Sequence, residues 1–253
     1  MNTITKKKIL SPIVEVISEL IVLNEEVTEN NSDFPDITNF ANAVSKQIEQ
    51  VVKVGYSYMD NRKEDEKLQE NMPKGCDEVL NASELLIQSS ELLKENSKSK
   101  EGRDKLVESI QAILSGITKV LDIYDEAEIR KIKTICKHIQ ELIDVTNKEK
   151  SVQESVGTLR QISQCSMALA TQINNRIPEL LSQQSQLRLR ISVDTMSKIT
   201  PLLLNSYKAM LKDSNSGNVL SSKDLICNIL QKTCKDVDII VSDTSPETIE
   251  SSK

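Results

Sequence analysis

Apolar residues recur at steps of three and four along most of the chain, which is the period of amphipathic helices. The first such run, 9–26, carries two apolar rows instead of one. The first row is Ile9, Ile13, Val16, Leu20 and Leu23, and the second row is Leu10, Val14, Ile17 and Ile21. A helix in a small bundle needs only one apolar stripe. The additional row therefore indicates either unusually deep burial or a surface that binds something.

Turn-forming residues divide the chain into seven predicted helices. Their approximate bounds are 5–26, 36–62, 73–96, 103–147 and 150–181, then a helix that contains 189–210, and finally 221–241. Pro12 should lie in the first turn of the first helix or kink it, and Pro178 should kink or end the fifth. Pro201 falls inside the sixth helix. We expect a disordered tail at 244–253.

The fourth predicted helix changes the phase of its apolar stripe partway along. One phase comprises Leu106, Ile110, Ile113, Ile117, Val120 and Tyr124, and the next comprises Ile129, Ile132, Cys136, Ile139 and Ile143. A shift of one residue turns the buried face by roughly 100°. The two halves should therefore pack against different neighbours. We predict an all-α fold of two four-helix bundles, 1–125 and 126–243, that share this long central helix.

Composition agrees with a helical protein and limits its partners. The 253 residues include only 6 Gly, 6 Pro and 2% aromatic residues, which is typical of helical bundles. The net charge is −6, and basic and acidic residues are interleaved without a basic stripe. Nucleic-acid binding is therefore not expected. Three consecutive lysines at residues 6–8 are more typical of a solvated helix start than of a membrane anchor.

The sequence also predicts a cytosolic protein. Glu15 and Glu19 interrupt the first apolar run, which argues against a signal peptide, and no long uncharged apolar stretch predicts a transmembrane helix. The five cysteines show no C-x-x-C pair and are expected to be reduced thiols in the core. Cys227 and Cys234 are seven residues apart, which places them on one face of a helix.

Enzyme motifs are absent from the sequence. It contains no glycine-rich phosphate loop, and His138 is its only histidine. His138 and Glu141 form one i, i+3 pair, whereas a di-iron bundle needs two such motifs. The carboxylates of DEAEIRKI, 125–132, alternate with basic residues as on a solvated helix. We expect no enzyme activity, no cofactor and no metal, which leaves binding of a further helix as the leading function.

Several segments resemble the N-terminal head domain of the vinculin family. The strongest is ILSGITKVLDIYDEAEIRKIKTICK at 113–137, followed by PDIT at 35–38, VVKVG at 51–55, MP at 72–73 and the opening run at 9–26. The resemblance extends over about 9–241. Alpha-catenins are relatives and the nearest alternative, but DEAEIRKI is more similar to vinculin. The resemblance implies an adhesion adaptor in the cytoplasm, at cell-adhesion sites and the cytoskeleton, with two bundles that share a long helix.

The resemblance also implies a binding mode and a site. In this family, an amphipathic helix of talin inserts between helices 1 and 2 and converts the first bundle from four helices to five. The matching positions are Ile9, Pro12, Ile13, Val16, Ile17, Leu20 and Leu23 on helix 1 and Val44, Gln47, Ile48, Val51 and Val54 on helix 2. Helices of alpha-actinin or of catenins are further candidate partners. Actin would be reached only indirectly, because no match to the family's actin-binding tail is present.

Two departures from the family pattern affect these expectations. Gln47 stands where the family tends to carry a small apolar residue, so we expect it to weaken or change the specificity of the groove. The chain is also much shorter than vinculin. The alternative function is a structural bundle of the alpha-catenin type, which dimerises or binds a beta-catenin-like helix.

Overall fold

The computed structural model describes residues 3–30, 32–148, 152–210 and 217–242, which are almost entirely helical. The α-helices are α1 (Ile4–Glu29), α2 (Thr38–Asp60), α3 (Glu66–Glu95), α4 (Lys100–Lys148), α5 (Val152–Arg176), α6 (Gln183–Met210) and α7 (Gly217–Ser242). A short 3-10 helix, Ile177–Glu179, follows α5. The predicted all-α fold of seven helices is confirmed. The predicted tail at 244–253 lies outside the described residues.

The chain divides into two compact units, each with its own apolar core. The N-terminal unit is Thr5–Ala127, and the C-terminal unit comprises Met1–Ile4 and Glu128–Lys253. Thr3 belongs to the C-terminal unit, where it forms an isolated antiparallel bridge with Leu180. The helices α1 to α3 and the first part of α4 supply the core of the N-terminal unit. The rest of α4 and α5 to α7 supply the core of the C-terminal unit.

The long helix α4 is continuous, as predicted, and its buried face changes where one core ends and the other begins. Ile123 and Ala127 are the last buried α4 residues of the N-terminal core; Ile129 packs against the C-terminal core from a partly buried position, and Ile132 is the first buried α4 residue of that core. The interval of five residues between Ala127 and Ile132 breaks the alternation of three and four. Tyr124 was wrongly assigned to the buried stripe: its side chain is 44% exposed, and Ile123 is buried in its place.

Helix α3 begins seven residues earlier than predicted. Asp65 caps it, because its side chain accepts a hydrogen bond of 3.0 Å from the backbone N–H of Leu68. Leu68 and Met72, in the first two turns, are buried. Pro73 consequently lies inside the helix instead of starting it. Burial of these two side chains offsets the backbone hydrogen bond that the proline cannot donate.

Three further prolines lie in or beside predicted helices, and two of them are placed as predicted. Pro178 ends α5, since the α-helix stops at Arg176 and a 3-10 turn contains the proline. Pro201 lies inside α6, as predicted. Pro12 lies eight residues after the first residue of α1, so its placement in the first turn was wrong. The missing proline N–H leaves one backbone hydrogen bond unmade in this part of α1.

Helices α2, α3 and α4 approach one another closely through glycines. A Cβ atom added at Gly55 on α2 would lie 3.2 Å from the sulfur of Cys76 on α3. One added at Gly116 on α4 would lie 3.0 Å from the Cβ of Val79 on α3. Both distances are tighter than ordinary contacts, so a side chain added at either glycine would displace its neighbours. The three helices therefore form a tightly packed part of the N-terminal unit.

Candidate helix-binding groove

Helix α1 contributes few buried residues for its length. Of its 26 residues, only Ile17 and Val27 are buried, whereas α3 buries eleven of 30. The middle of α1 is attached mainly by side chains that are half-buried. Because the free energy gained on burial scales with the apolar area removed from water, α1 is held less strongly than α3.

The twelve predicted groove residues fall into four groups by burial. Ile17 and Ile48 are buried; Ile13, Leu20, Leu23, Val44 and Val51 are half-buried and pack against the core; Val16 is half-buried; and Ile9, Pro12, Gln47 and Val54 are exposed. The structure therefore places five of the predicted contacts at the margin of the core and four in solvent. Leu10 and Ile21 of the second row also pack against the core, while Val14 of that row is exposed.

One flank of α2 carries a regular row of six residues, which we call the α2 row. Its members are Phe40, Val44, Gln47, Val51, Val54 and Tyr58, at steps of 4-3-4-3-4. The opposite flank carries Tyr56, whose pKa is raised by burial and by the nearby carboxylate of Asp77 on α3. Because Tyr56 faces α3, the α2 row lies on the flank turned away from α3.

We expect the first row of α1 to lie on the corresponding flank of its own helix. Helices α1 and α2 follow each other through a short connection, as antiparallel neighbours in bundles do. Antiparallel neighbours turn corresponding flanks toward each other. We therefore expect the first row and the α2 row to face each other, and we call the apolar surface that the two rows form the groove.

Both ends of α1 are fixed more firmly than its middle. At the start, the Lys6 ammonium forms an ion pair with Asp122 on α4, and the Lys6 side chain is only 15% exposed. At the other end, Val27 and Phe34 are buried. The backbone N–H of Phe34 also donates a hydrogen bond of 3.2 Å to the carbonyl of Ser97. The sequence patterns indicated none of these end contacts, since a side-chain pair 116 residues apart leaves no periodic signal.

A cleft of about 500 Å³ lies between α4 and α7 of the C-terminal unit. Its lining includes Lys133, Lys137, Cys136, Cys234 and Asp238. A hydrogen bond with the Cys234 thiol and burial both raise the pKa of Cys136, which keeps this thiol protonated. A protonated thiol is a poor nucleophile. The five cysteines are unpaired, and all except the half-buried Cys165 are buried.

The remaining candidate residues lie on helix surfaces, with one exception. His138 is largely exposed, and its Nδ1 atom lies 3.8 Å from the Glu141 carboxylate, as expected for a surface pair. Asp125 was expected to be solvated but is buried. Among the residues that the structure describes, no three potential metal ligands cluster together. Within the same ranges, no helix is both long enough and apolar enough to cross a bilayer.

Comparison with protein families gives a match to the Vinculin family over residues 1–253. Human vinculin is 30% identical over 217 residues, which cover 86% of this chain and 19% of that protein. Vinculin from Drosophila melanogaster is 30% identical over 210 residues, covering 83% and 22%. Vinculin from the sponge Oscarella pearsei is 25% identical over 221 residues, covering 85% and 26%. The chain spans about a fifth to a quarter of these curated relatives.

Two solved structures share the fold. A vinculin homolog from a sponge, described in connection with vertebrate-like cell adhesions, superposes with a TM-score of 0.81 at 22% identity. That match covers 97% of this chain and 31% of the sponge chain. A chain from the crystal structure of the HMP-1–HMP-2 complex superposes with a TM-score of 0.71 at 13% identity, covering 93% and 97%.

Proposed function

The chain belongs to the vinculin family, and on that premise we propose that it is an adhesion adaptor module that binds an amphipathic helix of talin in the groove between α1 and α2. The observation that carries the proposal is the weak burial of α1 beside a flank of α2 that remains partly exposed. The module would act in the cytoplasm at cell-adhesion sites.

Binding would convert the N-terminal unit from four helices to five. Apolar side chains at i, i+3, i+4 and i+7 of the partner would enter between the first row and the α2 row. Four or five such anchors at about 1.5–3 kcal/mol each give roughly 6–15 kcal/mol. Association and ordering cost about 4–15 kcal/mol. Because these ranges overlap, the affinity depends on how much free energy of burial α1 loses when it moves.

We expect α1 to be the helix that moves. The close approach of Gly55 to Cys76 ties α2 to α3, so displacing α2 would open a tightly packed interface. Displacing the middle of α1 exposes one buried side chain, Ile17, together with half-buried ones. The buried anchors Val27 and Phe34 would remain as the fixed end. The ion pair of Lys6 and Asp122 would then have to open or shift.

The direct test is a fluorescence-polarisation titration of a labelled talin vinculin-binding helix with this protein. We expect micromolar or tighter binding. Val54, at 68% exposure in the α2 row, provides a variant that leaves the core intact: Val54→Glu should weaken binding by about tenfold or more, because a carboxylate would be desolvated in the groove. Val22→Glu is the matched control, since Val22 is 51% exposed and lies outside both rows. Its affinity should equal that of the wild type.

The titration also separates the groove from other binding surfaces. A folded wild-type protein that does not bind the talin helix would contradict the talin assignment. Equal weakening by Val54→Glu and Val22→Glu would contradict the location of the site.

The second candidate function, dimerisation or binding of a beta-catenin-like helix, has support from the similarity to nearly the whole of a chain found in the HMP-1–HMP-2 complex. A mass that rises with concentration in light scattering would favour the dimerising form.

A further inference from the structure

The α2 row contains one polar residue, Gln47, at an interior position. The adjacent members of the row, Val44 and Val51, are half-buried, and the member after Val51, Val54, is exposed. Gln47 itself is exposed. A purely apolar partner helix laid along this row would therefore cover an amide in the middle of the row.

The amide of Gln47 has a defined chemical requirement once it is covered. It carries two N–H donors and one carbonyl acceptor. In the free protein, water satisfies these groups because the side chain is exposed. A helix laid between the first row and the α2 row would exclude that water. An amide left without a partner in an apolar interface costs about 1–3 kcal/mol.

We propose that Gln47 selects partner helices that carry a hydrogen-bonding side chain, such as Asn, Ser or Thr, at the position opposite it on their apolar face. This inference rests on the proposed function, because it concerns the occupant of the same groove. A polar side chain opposite Gln47 replaces the lost water contacts, whereas an entirely apolar helix cannot. Discrimination against the apolar helix then arises from the buried amide left unpaired.

Position along the row strengthens this assignment. Gln47 lies one turn from Val44 and one turn from Val51, so we expect a partner helix that contacts both valines to lie over the amide between them. A polar residue beyond either end of the row would reach solvent. The interior position makes the side chain a determinant of specificity rather than a tolerated surface residue.

The test uses a talin vinculin-binding helix and two sets of single variants. In one set each inward-facing apolar residue is replaced by Asn, and in the other the same residues are replaced by Ala. Each peptide is titrated by fluorescence polarisation against wild type, Gln47→Ala and Gln50→Ala. Gln50 is an exposed glutamine on the outer face of α2 and serves as the matched control. Circular dichroism verifies that all three proteins remain folded.

We expect one Asn peptide to bind the wild type about 5–10-fold more tightly than its Ala counterpart. This preference should persist with Gln50→Ala and disappear with Gln47→Ala. The parent apolar helix should bind Gln47→Ala more tightly than the wild type. Binding of all peptides without any preference that depends on Gln47 would overturn this inference while leaving the proposed function intact. Failure of every peptide to bind wild type and Gln47→Ala would overturn both.

Discussion

Replacing either Leu20 or Val51 with Glu is expected to abolish measurable binding of a talin vinculin-binding helix. Leu20 belongs to the first row and Val51 to the α2 row, and both are half-buried against the core in the free protein. A partner in the groove would bury them completely. An unpaired carboxylate at such a position costs several kcal/mol, and each 1.4 kcal/mol is a factor of ten in affinity. The loss should therefore exceed about 100-fold.

The controls for these variants address folding. Because Leu20 and Val51 already contact the core, each glutamate also lowers stability, which thermal unfolding followed by circular dichroism measures. The apolar changes Leu20→Met, which nearly conserves volume, and Val51→Ile, which adds one methylene group at a half-buried site, should retain both the fold and binding within a few-fold. A folded Leu20→Glu or Val51→Glu protein with wild-type affinity would show that the partner does not occupy the groove.

A large loss of stability is expected from Leu169→Ala in α5. Leu169 is fully buried in the C-terminal core, at 0% exposure. Truncating it should lower the free energy of unfolding by about 2–5 kcal/mol, because the change removes apolar burial and leaves a cavity. Chemical denaturation followed by circular dichroism measures this loss as a lower midpoint. The chain contains two cores, so more than one transition has to be fitted.

Met167→Ala is the matched control for Leu169→Ala. Met167 lies two residues earlier on the same helix and is 71% exposed, so its truncation should change stability by no more than about 0.5 kcal/mol. The groove residues all belong to the N-terminal unit. Binding of the talin helix by Leu169→Ala should therefore match the wild type at a temperature where this variant is folded. Equal destabilisation by the two substitutions would contradict the assigned core.

Much of the fold follows from the period of apolar residues. The phase change in α4 predicted a shared long helix, and the structure confirms it because each phase ends in a separate core. Errors arose where a local signal competed with burial. Pro73 suggested a helix start, yet the cap at Asp65 and the buried Leu68 extend α3 backwards. Tyr124 fitted the stripe only because Tyr was counted as apolar, and its larger, polar-tipped side chain lies at the surface while Ile123 is buried.

The site was less accessible to sequence reasoning than the fold. The two rows are visible as periodic patterns, but the exposed fraction of each member depends on how closely the neighbouring helices approach. Val54 and Ile48 both belong to the predicted groove, yet one is 68% exposed and the other is buried. The ion pair of Lys6 and Asp122 could not be predicted, because charged residues are common on every helix surface of this chain.

The distance between α1 and α2 tests the central claim most directly. Spin labels at Glu19→Cys and Lys46→Cys, both at exposed positions, report this distance by pulsed electron paramagnetic resonance in a Cys165→Ser background. Insertion of a helix between neighbours that pack 8–10 Å apart should lengthen the mean distance by about 5–10 Å when the talin helix is added. The same labels in a Val54→Glu protein should show little change at equal peptide concentration. An unchanged distance at saturating talin helix would contradict insertion between α1 and α2.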